Sequence, residues 1–226
     1  MYTWAGATRS KKRKIVEEPT PPPMTMDDDD EGPSIPFIFP KPPSTNLCTL
    51  NNRIFFNDDI TYESVFGLNR ELRALDDKLY LFANIHRTQT MPIYLHITTY
   101  GGAIHAAFSV VDCIKSLRCP VYTVVDGFVA SAGTLISLAG EKRYMQPNAY
   151  MLFHELRSAF WGKMSDIEQE YCNLKKMMDH LTDYYTQNTP LTKKTLEKLL
   201  TKDAIWNVKE CLEKGVIHDI YSKNEI

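Results

Sequence analysis

The sequence predicts an α/β domain behind a proline-rich N-terminal arm, on three observations. Nine of the 13 prolines fall within residues 19–43, a stretch that also holds the acidic run 27–31 and follows the basic residues Lys11, Lys12, Arg13 and Lys14. Beyond it, short apolar runs alternate with segments whose apolar residues recur at steps of three and four, the period of a helix face. The connections are short, which calls for parallel strands joined by right-handed crossovers. The chain thus divides into an arm, 1–46, expected to be disordered, and a body, 47–226, of a size for one core.

Within the body, residues 53–56 (Arg-Ile-Phe-Phe) are fit for a strand. Val65, Leu68, Leu72, Leu75, Leu79 and Phe82 then make one helical stripe. Residues 92–98 (Pro-Ile-Tyr-Leu-His-Ile-Thr) predict a strand that ends at Gly101 and Gly102. Ile104, Ala107, Phe108, Val111 and Ile114 predict a helix that stops before Cys119 and Pro120, because proline disfavours helical backbone in the residue before it. A strand over 120–125 leads into a small-residue buried helix over 130–138, and residues 150–153 (Tyr-Met-Leu-Phe) form another strand. Ile167, Tyr171, Leu174, Met178, Leu181 and Tyr185 mark a long helix, with Ser165 and Glu168 spaced as a capping box.

Composition excludes several classes of function. With 26 Lys+Arg against 28 Asp+Glu, a net charge of -2 argues against a polyanion binder. Nucleic-acid binding would rest on Lys11 to Lys14 alone, a cluster that also suits a nuclear import signal. The five cysteines show no Cys-x-x-Cys spacing and an odd count, so neither a disulfide framework nor a metal site is expected. The N-terminus lacks the charged start and apolar core of a signal peptide. Asp126 and three glycines interrupt the most apolar window, 120–140, which reads as a buried strand and helix rather than a membrane span. The expectation is a soluble intracellular protein, cytoplasmic or, through its basic cluster, nuclear. Ile35, Phe37, Ile38 and Phe39 form an apolar patch in the arm that something is expected to cover.

Three places can carry chemistry. Gly101 and Gly102 join a strand to a helix, where backbone N–H groups can face an anion or simply make a tight turn. Ser131 lies among small residues (Gly-Phe-Val-Ala-Ser-Ala-Gly, 127–133) between strand and helix, as a nucleophile or as a helix-packing serine. His154 leaves the end of an apolar strand, a rigid place for a general base or a boundary histidine; His105, just after the glycines, is the only competitor.

These blocks, in this order and continued by residues 203–219, resemble the proteolytic subunit of Clp-type ATP-dependent proteases from about Arg53 to Tyr221. The resemblance implies a crotonase-like fold of repeated β-β-α units and a Ser-His-Asp triad of Ser131, His154 and Asp203. It implies an oxyanion hole from the amides of Gly102 and Ala132, and an extended peptide substrate along Arg157, Phe160, Trp161 and Gly162. It further implies homo-oligomeric stacked rings and a separate ring ATPase that unfolds substrate; no cofactor is expected in the subunit itself. The chain departs from the family at Tyr100 (usually Pro), Ala132 (usually Met), and Glu155 and Leu156 (usually Gln-Pro). Those departures leave a catalytically impaired ring subunit or adaptor as an alternative. An acyl-CoA enzyme of the crotonase type would instead need carboxylates where Ser131 and His154 stand.

Overall fold

The computed structural model describes residues 46–222 apart from residue 160. The arm before residue 46, with its expected disorder, basic cluster and apolar patch, lies outside the described residues, as does Phe160.

In order, the chain forms β1 (Leu47–Leu50), β2 (Arg53–Asn57), α1 (Tyr62–His86), β3 (Ile93–Thr99), α2 (Ile104–Ser116), β4 (Val121–Ala130), α3 (Ala132–Leu138), β5 (Lys142–Met145), β6 (Tyr150–Phe153), α4 (Met164–Asn188), α5 (Lys193–Leu200), β7 (Ala204–Asn207), α6 (Val208–Glu213) and β8 (Asp219–Ile220). The sheet runs β1-β2-β3-β4-β5-β8, with β6 hydrogen-bonded to both β4 and β7. As expected, β2, β3, β4 and β5 are parallel neighbours and β6 joins β4 in parallel. The short partners β1 and β7 are antiparallel.

Strand β3 is buried on both faces. Ile93, Leu95 and Ile97 meet Leu68, Leu72 and Leu75 of α1 and Val110 and Ile114 of α2 in the main core. Each such apolar side chain contributes roughly 1.5–3 kcal/mol by leaving water. On the opposite face Tyr94 packs with Val124 and Tyr144. His96 stacks on Phe55 there and holds Asp126 through Nδ1 at 2.8 Å. The α1 stripe is buried from Val65 to Leu79 and ends at Ala83, whereas Phe82, read from the sequence as its last member, is exposed.

Other expectations need correction. The small-residue helix begins at Ala132 because β4 continues through Ala130 to pair with β6. Helix α4 starts at Met164, so Ser165 lies inside it; Asp166, not Glu168, accepts the hydrogen bond from the Lys163 N–H, at 3.2 Å. The α4 stripe is apolar throughout but splits in burial: Ile167 and Tyr171 are exposed, Leu181 and Tyr185 buried. Among the described residues no helix is long and apolar enough to cross a membrane.

One buried carboxylate ties α1 to the turn between α2 and β4. Asp76 accepts from the backbone N–H groups of Arg118 (3.0 Å) and Cys119 (2.8 Å) and from Arg118 Nε (2.8 Å). Burial alone would push its carboxyl up, but the bonds from Cys119 and Arg118 outweigh burial and hold it below the ordinary value. A depressed pKa stabilises the fold above the unfolded value of about 4, and the gain disappears as pH falls through the folded value. Asp76→Asn should therefore flatten the acid limb of stability measured by urea unfolding between about pH 5 and pH 2. Asp76→Ala, which strands two backbone donors, should cost about 3 kcal/mol at neutral pH.

Candidate active site

The ends of β4 and β6 and the start of β7 lie together in the hydrogen-bonded sheet. β4 and β6 run in parallel to the pair Ala130↔Leu152, and β6 and β7 run antiparallel to Phe153↔Ala204. Ser131 follows Ala130, His154 follows Phe153, and Asp203 precedes Ala204. Extended by one step, the antiparallel register sets His154 opposite Asp203. Strand ends fix these backbones, so the side chains emerge from a rigid frame.

Ser131 is the residue between β4 and α3, and its backbone is unusual. Its φ of 55° and ψ of -126° lie where L-residues are rarely found. Three bonds hold it there: its N–H donates to Leu152 O (3.0 Å), and its carbonyl accepts from the Thr134 N–H (3.0 Å) and the Thr134 hydroxyl (2.6 Å). The hydroxyl does not cap α3. Small neighbours make the turn feasible, as the sequence suggests. A Cβ on Gly133 would lie 2.3 Å from Thr99 Cγ2, so only glycine lets α3 approach β3 this closely.

The Gly-Gly loop sits against the serine. A Cβ on Gly101 would come within 2.6 Å of Ser131 Cβ. Ile60, just before the Thr61 cap of α1, anchors the loop: its N–H donates to Gly101 O and its carbonyl accepts from Ala103 N–H, both at 2.8 Å. That parallel bridge engages the residues flanking Gly102, so the N–H of Gly102 itself faces the other way. The Ala132 N–H opens the first turn of α3, where no helical partner exists. Among the described residues neither amide is hydrogen-bonded.

Gly102, Ser131, Ala132, His154 and Arg157 line one cavity of about 490 Å³, with His105, Glu155, Leu156 and Glu170. Leu174, Met177, Leu181 and Tyr185 of α4 supply its apolar side. Burial pushes the Tyr185 phenol up to about 12 against the opposing pull of its hydrogen bond with Thr134, so it stays protonated at neutral pH. The sequence shows the α4 stripe but not that the part from Glu170 to Tyr185 faces the site.

The structure brings Ser131, His154, Gly102 and Ala132 to this cavity; Asp203 is not part of its lining. His154 Nδ1 lies 2.7 Å from the carbonyl oxygen of Glu155. A carbonyl only accepts, so Nδ1 carries a proton, and in the neutral ring the lone pair is on Nε2. Asp203, held at φ 48°, pairs with the guanidinium of Arg157. Of the described residues in the expected substrate segment, Arg157 and Ser158 line the cavity whereas Trp161 and Gly162 do not; residues 154–159 and 161–162 form no strand, and Trp161 is 98% exposed. The Arg157–Asp203 pair was not legible in sequence, since its partners stand far apart in the chain.

Comparison with known proteins finds that the Clp protease family model matches residues 53–224. The ATP-dependent Clp protease proteolytic subunit 2 of Treponema denticola is 33% identical over 156 residues, covering 68% of this chain and 77% of that protein. A ClpP1 point mutant from Listeria monocytogenes shares the fold with a TM-score of 0.64 at 24% identity, covering 74% of this chain and 90% of that one.

Gly102 gives a direct test of the loop geometry. Its φ is +144°, and an added Cβ would lie 2.2 Å from the Ile60 carbonyl oxygen, a rigid backbone atom. Gly102→Ala should lower stability by about 3 kcal/mol in chemical denaturation, through steric overlap and an unfavourable φ. The neighbouring Ala103→Gly, which keeps the bridge, should cost under about 1 kcal/mol.

Proposed function

The chain belongs to the Clp protease family, and from that premise we propose that it is a serine endopeptidase in which Ser131 is the nucleophile, His154 the base and Asp203 the orienting carboxylate. The observation that carries this reading is Ser131 itself. A serine held at φ 55° with a hydroxyl that caps nothing, on the wall of a cavity it shares with His154, has a strained conformation without a structural use. Such strain fits a nucleophile presented at a sharp strand-to-helix turn.

In this reading, Ser131 Oγ attacks a peptide carbonyl while His154 Nε2 takes the proton and later passes it to the leaving amine. The tautomer supports that role, because the Nδ1 proton on Glu155 O leaves Nε2 able to accept. The free amides of Gly102 and Ala132 suit the developing oxyanion, where one lost donor costs ~10²–10³ in rate. Arg157 and the exposed Trp161 and Gly162 would meet the substrate backbone along the cavity mouth. The family further supports a homo-oligomeric stacked-ring assembly fed with unfolded polypeptide by a separate ring ATPase, which would do the ATP hydrolysis.

A serine-directed fluorophosphonate probe tests the reading. Wild-type protein should be labelled at Ser131, and Ser131→Ala should remain folded, lose all labelling and lose peptide hydrolysis by ~10⁴-fold or more. A well-folded wild-type protein that takes no label, or undiminished labelling in Ser131→Ala, would overturn it.

A further inference from the structure

We propose that Arg157 is a positioning residue that holds Asp203 away from His154, so that the site rests in a low-activity state released when this ion pair opens. The inference rests on the roles proposed above for Ser131, His154 and Asp203. Three observations lead to it. The β6–β7 register sets Asp203 opposite His154, yet its carboxylate is bonded to Arg157. His154 Nδ1 is meanwhile occupied by the Glu155 carbonyl. Arg157 belongs to the cavity wall, so whatever enters the cavity meets the latch directly.

The two His154 arrangements differ in charge rather than in tautomer. With Glu155 O as acceptor, the ring keeps its proton on Nδ1 and its lone pair on Nε2, so proton abstraction from Ser131 remains available. The imidazolium formed in that step then faces a neutral carbonyl instead of a carboxylate, and the transition state is less stabilised. Moving the Asp203 carboxylate from Arg157 to Nδ1 restores the opposite charge without any change of proton position.

The latch is weak enough to act as one. The Arg157 and Asp203 side chains are 70% and 52% exposed. Such an exposed pair biases a two-state equilibrium by no more than about five-fold, and salt screens it. A substrate main-chain carbonyl or a carboxylate that takes up the guanidinium therefore suffices to open it.

The experiment measures the rate of fluorophosphonate labelling at Ser131 in wild type, Arg157→Ala, Arg157→Gln and Arg157→Lys from low to high NaCl. At low salt the Ala and Gln variants should label about three-fold faster than wild type and show a flat salt profile, while wild type rises toward them as salt increases. Arg157→Lys, which keeps the charge, should stay close to wild type. Ala and Gln variants that label at the wild-type rate or more slowly at low salt would overturn the latch. A crystal structure of Arg157→Ala decides it independently of activity: the Asp203 carboxylate on His154 Nδ1 supports the proposal, and a carboxylate still turned away overturns it. Absence of label at Ser131 in every variant would instead overturn the proposed nucleophile, leaving the latch to that structure.

Discussion

Between Val125 and Val129 strand β4 uses four residues to advance as far as β3 advances from Ile97 to Thr99. The surplus falls at Asp126 and Gly127, where Gly127 takes a φ of +68°. Before this irregularity β4 pairs with β5 through Tyr122 to Val125; after it, the same strand pairs with β6 from Phe128 to Ala130. One long strand thereby serves two successive partners. Without the change of partner, β6 would have no ladder to join beside the end of β4, and His154 would not emerge next to Ser131. The meeting of Ser131 and His154 at one cavity depends on this local departure from regular pairing.

Around that junction the remaining parts are set by close backbone approach. Ile60 pins the Gly-Gly loop, Gly101 lies against Ser131, and Gly133 lets α3 press on Thr99. Such contacts are insensitive to solvent and salt, so Ser131 and the amides of Gly102 and Ala132 are held rigidly. Asp203, proposed as the orienting carboxylate, is held differently. Asp203 sits at a strand start with an exposed side chain, and its partner is chosen by charge. The site thus joins a stiff half, built by packing, to an adjustable half, built by electrostatics.

Much of this was legible in the sequence because it is written in local periodicity. The stripe from Val65 to Leu79, the run 150–153 and the glycines at 101 and 102 each obey a short-range rule that structure then satisfies. Ser131 and His154 were identifiable as strand-end residues by the same means. What escaped was non-local. β7 is only four residues long and pairs with β6 across some fifty positions, and Asp203 was reached through resemblance alone. The bend in β4 and the anchoring of Gly102 by Ile60 are likewise pairings between distant segments. The α4 stripe shows the opposite failure: its period is right from Ile167 to Tyr185, but period cannot say which half has something to pack against.

The backbone of Ser131 also narrows the chemical alternatives open to this site. A β-branched residue is a severe outlier at positive φ, and here Gly101 presses close enough that even its own missing Cβ would overlap Ser131 Cβ. Threonine, otherwise the nearest chemical relative of serine, is therefore strongly disfavoured at position 131 by this backbone. Unbranched cysteine meets no such barrier. The fold therefore biases position 131 toward an unbranched side chain: a sulfur can replace the oxygen with less backbone strain than a secondary alcohol.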